Sequence, residues 1–302
     1  MQLQSEESYD GDASSGEKKA SVTVDSSALR VLDVRPPLGE YFRQLWGRRF
    51  YILAESQAGV LRVDKDFRLG RLWLILQPLT DAAIYIVIFG IFLQTAKGIE
   101  NFVGFVTIGI VFFGFINRLL LLGSGLLRTQ KNMIVSFKFP RAAVPISKAL
   151  NQIVECIPPA IVAVAVALLF QWQEPLHLTI LLLPLVYILI MLFGAGLMLI
   201  TARVTAFLPD VKPLLSLFSR FWLYGSGIFY SIDRFSNHEQ LTAIMKSNPA
   251  YIYIQSVRDL AMGGDLPDVG SWIAMFAWAL GIFAVGIVFF WNAEERYVLA
   301  LQ

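Results

Sequence analysis

The feature that most constrains this chain is a set of six long apolar stretches. They lie at 70–94, 102–124, 143–170, 178–202, 213–231 and 270–292. Each has about the 20 residues that an α-helix needs to cross a bilayer. Of the 302 residues, 56% are hydrophobic and 16% are charged, whereas about a quarter of the residues in an average soluble protein are charged. We therefore expect an all-α polytopic membrane protein with six transmembrane helices.

The distribution of positive charge indicates how these helices are oriented. With the N-terminus placed inside, the outer loops hold only Lys97, Arg234, Lys246 and Arg258, and the other flanking lysines and arginines lie inside. Because inner loops carry an excess of Lys and Arg, both termini are predicted to be cytoplasmic. Residues 1–35 are polar, acidic and rich in Ser and Gly. We interpret them as a disordered cytoplasmic tail without the apolar core of a signal peptide.

The segment 36–66 separates this tail from a transmembrane domain over 67–302. Its apolar residues alternate with charged ones, among them Arg43, Arg48 and Arg49. A helix with one apolar side and one arginine-rich side lies in the plane of the membrane interface. We predict an amphipathic interface helix here. The alternative is a plain surface anchor with no further role.

The connection 126–142 is the most informative inner loop. It combines basic residues with an apolar cluster that contains Met133, Ile134, Val135 and Phe137. A solvated loop has no need of these apolar side chains, whereas a short helix that docks into a groove of another protein does. We predict a cytoplasmic coupling helix, and a helix lying on the lipid surface is the alternative.

The outer stretch 232–269 is predicted to form a helical hairpin. Two helix-like pieces, about 237–247 and 250–262, are divided by Asn248-Pro249. Each piece is too short to cross a bilayer, yet too apolar for a solvated loop. We interpret the pair as an external re-entrant hairpin, which is tolerated where protein buries its backbone.

Motifs of catalysis and of nucleotide binding are absent from the sequence. It has no GxxxxGKS or GxxxxGKT phosphate loop, no GxSxG and no HExxH, and His177 and His238 lack metal-ligand spacing. We predict no catalytic residue, no metal site and no cofactor in this chain. A membrane-embedded transferase would have to rely on Asp233 and His238.

Ionisable residues inside apolar stretches are functional candidates by default. Asp81 lies in the first stretch, Arg118 in the second, Glu155 in the third and Arg220 in the fifth. A proton or cation relay and a structural pair are the two interpretations. We favour a structural pair of Arg118 with Asp81 or Glu155, because a relay usually offers several carboxylates in line.

Two aromatic faces follow helical spacing, one in the first stretch and one in the fifth. They consist of Tyr85, Phe89 and Phe92, and of Phe218, Trp222 and Phe229. Aromatic rings pack against the apolar faces of sugars, and a row of weak contacts lets a polymer move without being trapped. Channel lining and ordinary packing against helices or lipid both remain open.

Several short motifs together resemble the permease subunits of ABC transporters that export polysaccharides, the O-antigen, capsule and teichoic acid exporters of the ABC type-2 fold. The matching residues are Leu69-Gly70-Arg71-Leu72-Trp73 with Gln77-Pro78, Asn132-Met133-Ile134 with Phe139-Pro140-Arg141, Pro209-Asp210-Val211, Asn248-Pro249-Ala250-Tyr251 and Arg258-Asp259. The resemblance covers roughly 40–296. The chain departs from the family at Pro209, where an arginine often precedes the aspartate. The polar tail is similar to that of the branch that exports lipid-linked galactan.

The resemblance implies a homodimeric pore lined by the first and fifth spans in a bacterial inner membrane. Two copies of a cytoplasmic ABC ATPase, which carry the ATP and Mg, would contact Asn132, Met133, Ile134, Val135 and Phe137. Arg43, Arg48 and Arg49 would meet the pyrophosphate of a lipid-linked glycan, the expected cargo. Membrane lipids are expected partners and nucleic acid is not. A drug or small-lipid exporter of the same fold is the first alternative, and a glycan transferase the second.

Overall fold

The computed structural model describes residues 36–62, 72–93, 99–136, 139–232 and 239–301. Within these ranges the regular structure is entirely helical. The helices are α1 (Leu38–Gly47), α2 (Arg49–Arg62), α3 (Leu72–Tyr85), α4 (Phe102–Gly123), α5 (Leu126–Thr129), α6 (Lys131–Ser136), α7 (Ala143–Glu155), α8 (Ile157–Leu169), α9 (Leu183–Phe207), α10 (Val211–Tyr224), α11 (Glu239–Ser247), α12 (Pro249–Arg258), α13 (Val269–Trp291) and α14 (Tyr297–Leu301). The predicted tail, residues 63–66 of the interface segment, and Phe137, Asp233 and His238 lie outside the described residues.

Five helical segments of the described chain are long and apolar enough to cross a membrane. They are Ile75–Phe92, Phe102–Gly123, Ala143–Leu169, Leu178–Phe207 and Val269–Trp291. The first of them ends in a π-helical turn, Ile86–Phe92, and the third is divided at Cys156, just before Pro158 and Pro159. These segments make the chain a multi-pass membrane protein.

The fifth predicted stretch, 213–231, differs from the expectation of a sixth spanning helix. Its helix α10 ends at Tyr224, and its 14 residues extend only about 21 Å at about 1.5 Å per residue. Gly225, Ser226 and Gly227 then form a turn in which Gly227 has φ of 62°. A left-handed residue of this kind ends a helix, and glycine adopts it without steric cost. The apolar residues that follow the turn are buried in the fold instead of extending the helix.

Helix α9 lies at the centre of the bundle, between α4 and α13. It meets α13 where Gly196 faces Gly286, and a Cβ atom added to either glycine would lie 2.6 Å from the backbone of the other helix. Small residues let membrane helices approach this closely, and van der Waals packing then holds them together. In the apolar window of α4, 72% of the residues are buried, against 6% in that of Ile75–Phe92. The first span is therefore peripheral in the bundle.

The two ends of the bundle differ in how they are closed. At the end that we call proximal, Trp291 donates a hydrogen bond to the Pro36 carbonyl at 3.0 Å, so the first and last described segments meet there. At the other, distal end, α12 packs against α4, α9 and α13. The two helices α11 and α12 occupy the two pieces of the predicted hairpin and divide at Asn248, whose side chain caps α12 by accepting from Ala250 N at 3.0 Å.

Arg258 fixes α12 to the rest of the distal end. Its guanidinium is completely enclosed and donates to the carbonyls of Phe105, Gly227 and Ile228 at 2.9–3.2 Å. It also lies over the Phe105 ring. Charged side chains are almost never fully buried without such compensation. The sequence pattern predicts Arg258 to be an outer-loop charge, and its position inside the fold differs from that prediction.

Candidate functional site

The short helix α6 presents one side to the protein and another to its surroundings at the proximal end. Ile134 is 1% exposed and anchors the helix, whereas Val135 is 44% exposed. Lys131, Asn132 and Ser136 are also exposed. Of the predicted coupling residues, Ile134 therefore holds the helix in place, and Asn132 and Val135 lie on the surface that a partner can reach.

A sharp bend connects α6 and α5 to the bundle. Gly125, with φ of 83°, separates α4 from α5. Its N–H donates to Thr205 Oγ1 of α9 at 2.8 Å, and Thr205 in turn donates to the Thr201 carbonyl at 2.7 Å. A Cβ at position 125 would lie 2.2 Å from Lys212 Nζ. The bend is thus held directly by α9, so movement of α5 and α6 acts on the central helix.

Helix α2 contacts the same connection through Tyr51. The Tyr51 hydroxyl lies 3.0 Å from Met133 Sδ, and its ring packs at 6.1 Å from the ring of Phe139. Met133, a predicted coupling residue, is therefore partly covered by the interface helices. Burial and the nearby Glu55 raise the pKa of the Tyr51 phenol, which keeps its proton at neutral pH.

A buried junction of Tyr41, Arg141 and Glu294 joins three distant parts of the chain at the proximal end. Tyr41 OH donates to Glu294 Oε2 at 2.8 Å and accepts from Ala142 N at 3.2 Å. Glu294 Oε1 accepts from Arg141 N at 2.7 Å, and the Arg141 side chain bonds the Glu294 carbonyl. Burial, and then the Glu294 charge, raise the pKa of the Tyr41 phenol, so it acts as a donor.

No local sequence pattern predicts this junction. Glu294 follows the last apolar stretch, where a solvated charge is expected, yet the residue is 5% exposed. The only sequence signal was an acidic residue just after a span, which is also common in solvated tails. Tyr41 and Glu294 are 253 residues apart, so no local pattern connects them.

The exposed side of α1 and α2 combines arginine and aromatic side chains. Phe42, Trp46 and Phe50 are exposed, and so are the predicted entry residues Arg43, Arg48 and Arg49. The Arg49 guanidinium lies 4.5 Å from the Phe50 ring centroid and 5.5 Å from that of Trp46. Two helices separated at Arg48 replace the single predicted helix. The entry role of the three arginines stays a prediction.

The aromatic residues predicted for a channel have different environments. Phe229 is fully buried and stacks on Phe89, with ring centroids 4.3 Å apart. The Tyr85 ring centroid lies 4.8 Å from that of Phe229. Phe92, by contrast, is 76% exposed. In one protomer the first three rings pack against each other, and Phe92 is open to a ligand, to lipid or to a second copy.

The aromatic residues of α10 are also divided. Phe218 is exposed, whereas Trp222 is partly buried and donates from Nε1 to Asn248 Oδ1 at 2.8 Å. The Asn248 amide also donates to the Gly225 carbonyl at 3.1 Å. Trp222 thus links the end of α10 to the hairpin. Contact of these rings with a substrate stays a prediction.

The charged residues predicted within the spans meet only in part. Arg118 Nη2 lies 3.0 Å from Glu155 Oε2, with the Glu155 side chain 4% exposed. Asp81 is exposed on α3, and Arg118 pairs with Glu155 rather than with it. Among the described residues, no group of three or more His, Cys, Asp and Glu side chains is arranged to hold a metal ion.

Taken together, these helices form a multi-pass membrane protein with a short, partly exposed helix, α6, held at its proximal end. The model of the ABC-2 type transporter family matches residues 52–262, which is more than half of the chain. The chain therefore belongs to the ABC-2 type transporter family, and it is the transmembrane component of an ABC exporter. No curated protein matches the sequence.

Proposed function

We propose that this chain is the membrane subunit of an ATP-driven exporter that moves a lipid-linked polysaccharide out of the cytoplasm. In this proposal the proximal end is cytoplasmic, two chains form the pore in a bacterial inner membrane, and two separate ATPase subunits bind beneath them. The observation that carries the ATP-driven part is α6, with Ile134 anchored and Val135 exposed. An exposed apolar residue on an anchored helix suits a groove in a partner protein.

The exposed side of α1 and α2 supports a lipid-linked cargo. It offers exposed aromatic rings for the acyl boundary beside Arg43, Arg48 and Arg49 for phosphate groups. A cargo with a lipid tail and a pyrophosphate carries the complementary chemistry. The exposed rings of Phe92 and Phe218 would then contact the sugar chain as it passes.

The peripheral position of α3 and α10 supports a homodimer. The outward residues of α3 and α10 include Leu76, Ile84, Leu217 and Phe221, which are 40–70% exposed. In a membrane, such faces contact lipid or a second copy. A second copy that covered them would place both helices beside the shared pore, in agreement with the resemblance.

Partner binding is tested by pulling down the ATPase with the full chain from its native membrane. Val135→Asp should reduce recovery of the ATPase, because it places a charge in an apolar contact, and Val135→Ile should not. Ile134 is a poor position for this test, because an aspartate there would disturb the fold. Equal recovery with wild type and Val135→Asp would argue against α6 as the docking helix.

The cargo is tested by depleting the chain and measuring lipid-linked glycan inside the cell. Accumulation supports the polysaccharide exporter. Loss of drug or lipid efflux without accumulation would favour the small-molecule exporter. Turnover of a lipid-linked sugar by the purified chain without ATP would favour the transferase.

A further inference from the structure

Helix α4 opens to its surroundings only in its second half. Apart from Val103 near its start, its residues that are at least partly exposed are Gly114, Asn117, Arg118, Leu121 and Leu122. Their spacing places them along one strip of the helix. A Cβ added at Gly114 would meet nothing within 4 Å, so the strip is open and not a tight packing seam.

Arg118 is the charged residue of this strip. Its side chain is 42% exposed. It precedes the end of α4 at Gly123 by five residues, which is about 7.5 Å at about 1.5 Å per residue. An arginine at this depth reaches the headgroup region with its long side chain.

A chain of hydrogen bonds holds Arg118 from behind. Glu155 Oε2 accepts from Arg118 Nη2 at 3.0 Å and from Gln152 Nε2 at 2.8 Å. Gln152 Nε2 also donates to Asn151 Oδ1 at 3.2 Å, and Asn151 Nδ2 donates to the Ser56 carbonyl of α2 at 3.1 Å. The guanidinium is therefore oriented by buried groups.

Within the described part of the chain, the Gln152 amide takes part in this network through its NH2 group only. Its oxygen is buried without a hydrogen-bond donor among the described residues. A flipped amide would give the oxygen no better partner and would point it at the Glu155 carboxylate. The Gln152 NH2 group thus donates to both Glu155 and Asn151, while the Gln152 oxygen stays without a donor. Leaving that buried oxygen unpaired costs free energy.

The other edge of the Arg118 guanidinium remains open. Only Nη2 has a hydrogen-bond partner within the described ranges, whereas a guanidinium carries five N–H donors in a rigid fork. The open edge is exposed on a strip that also carries Gly114, Asn117, Leu121 and Leu122. An exposed guanidinium at this depth is stabilised by a polar partner such as water or a lipid phosphate.

We propose that Arg118 binds a phosphate group of a lipid in the leaflet next to the proximal end, either a phosphodiester or a pyrophosphate. Phosphate oxygens match the guanidinium fork, and the resulting hydrogen bonds are charge-assisted. Glu155 lowers the cost of the empty site by partly neutralising Arg118. The site differs from the exposed arginines of α1 and α2, and it does not depend on which cargo the exporter moves.

The test measures binding of short-chain lipids to the purified full chain in detergent by native mass spectrometry. The probes are farnesyl pyrophosphate, dioctanoylphosphatidylglycerol and, as a phosphate-free control, dioctanoylglycerol. Arg118→Gln should weaken binding of a phosphate-bearing probe by about tenfold or more, equivalent to about 1.4 kcal/mol. Arg220→Gln, which removes another exposed arginine, should change it by less than about twofold.

The pattern across probes identifies the source of the phosphate. A loss confined to farnesyl pyrophosphate supports a polyprenyl carrier, and a loss that includes phosphatidylglycerol supports membrane lipids. Equal affinity of Arg118→Gln and wild type for both phosphate-bearing probes would overturn the proposal. An equal loss with Arg220→Gln would overturn it too, because the effect would then be one of overall charge.

Glu155→Gln provides a test in the opposite direction. The glutamine oxygen can still accept from Arg118, but the neutralising charge is gone, so phosphate binding should tighten by about threefold or more. A structural pair without a ligand role predicts lower thermal stability and no gain in affinity. Unchanged or weaker binding in Glu155→Gln would contradict the proposal, even if Arg118→Gln failed to fold.

Discussion

Tyr41→Phe tests whether the buried junction at the proximal end holds α1 in place. The substitution keeps the aromatic ring and removes one hydroxyl, which donates to Glu294 Oε2 at 2.8 Å and accepts from Ala142 N at 3.2 Å. The pKa of the Tyr41 phenol is raised by burial and by Glu294, so the wild-type hydroxyl keeps its proton at every pH suited to the assay. The loss is therefore that of a neutral donor and acceptor.

The expected cost follows from these two bonds. A hydrogen bond to a charged group contributes roughly 1.5–3 kcal/mol, and a buried N–H left without its acceptor costs roughly 1–3 kcal/mol. Because the two bonds belong to one network, their contributions do not simply add. We expect the opening of α1 to become easier by about 2–4 kcal/mol, which multiplies its opening constant by about 30-fold or more.

Amide hydrogen exchange of residues 38–47 in the purified full chain measures this opening directly. The matched control is Tyr297→Phe, which removes a buried hydroxyl that donates to the neutral Phe290 carbonyl at 2.9 Å. The control should cost about 0.5–1.5 kcal/mol and should affect α14 rather than α1. Exchange of 38–47 within about threefold of wild type in Tyr41→Phe, or acceleration of α1 to the same degree by the control, would refute the reasoning.

Two further substitutions test backbone geometry and buried charge. Gly125→Ala should destabilise the chain by about 1–2 kcal/mol, because residue 125 has φ of 83° and left-handed backbone is costly for alanine. The control Gly114→Ala, in open space within α4, should be neutral or stabilising. Equal melting temperatures for the two variants would contradict this expectation. Arg258→Met should lower the free energy of unfolding by about 3 kcal/mol or more, because the carbonyls of Phe105, Gly227 and Ile228 lose their shared donor. The control Lys246→Met, on the exposed side of α11, should change the melting temperature little. A similarly small change for Arg258→Met would show that the guanidinium is dispensable.

The parts of the fold that the sequence predicted well are those decided by continuous apolar runs. Four of the expected spanning stretches, those of α4, α7–α8, α9 and α13, correspond to candidate spans almost end to end, and the first corresponds to Ile75–Phe92. The fifth did not follow the rule. The apolar stretch includes residues on both sides of Gly225-Ser226-Gly227. A hydropathy average does not detect the turn at these residues, although the turn ends the helix.

The parts that the sequence could not supply depend on partners far along the chain. Glu294 and Arg258 have the local character of exposed charges, yet both are buried by segments more than 100 residues away. The sequence predicts a short helix in the connection 126–142, and α6 (Lys131–Ser136) lies there. In this helix Ile134 faces inwards and Val135 faces outwards. This orientation depends on where α2 and α14 pack against α6.

The proximal contacts determine how a push on α6 would spread through the protomer. Through Gly125 and Thr205 it acts on α9, and through Tyr51 and Met133 it acts on α2. Helix α9 is itself packed closely on α4 and on α13, where Gly196 meets Gly286. Interiors packed in this way transmit a displacement instead of absorbing it.

The first span and α10 lie at the edge of this packed unit, where α3 packs against α4 and α8, and Ser219 of α10 donates to Asn117 of α4. In the first span 6% of the residues are buried, and in α10 only Ser219 is buried. The end of α10 is linked to the hairpin by the hydrogen bonds of Asn248 with Trp222 and with the Gly225 carbonyl. A motion that enters at α6 therefore moves α9, α4 and α13 relative to these two elements more easily than it deforms the packed unit. In the homodimer that we propose, α3 and α10 border the pore, so this relative motion is the physical route by which a soluble ATPase would change the width of the path.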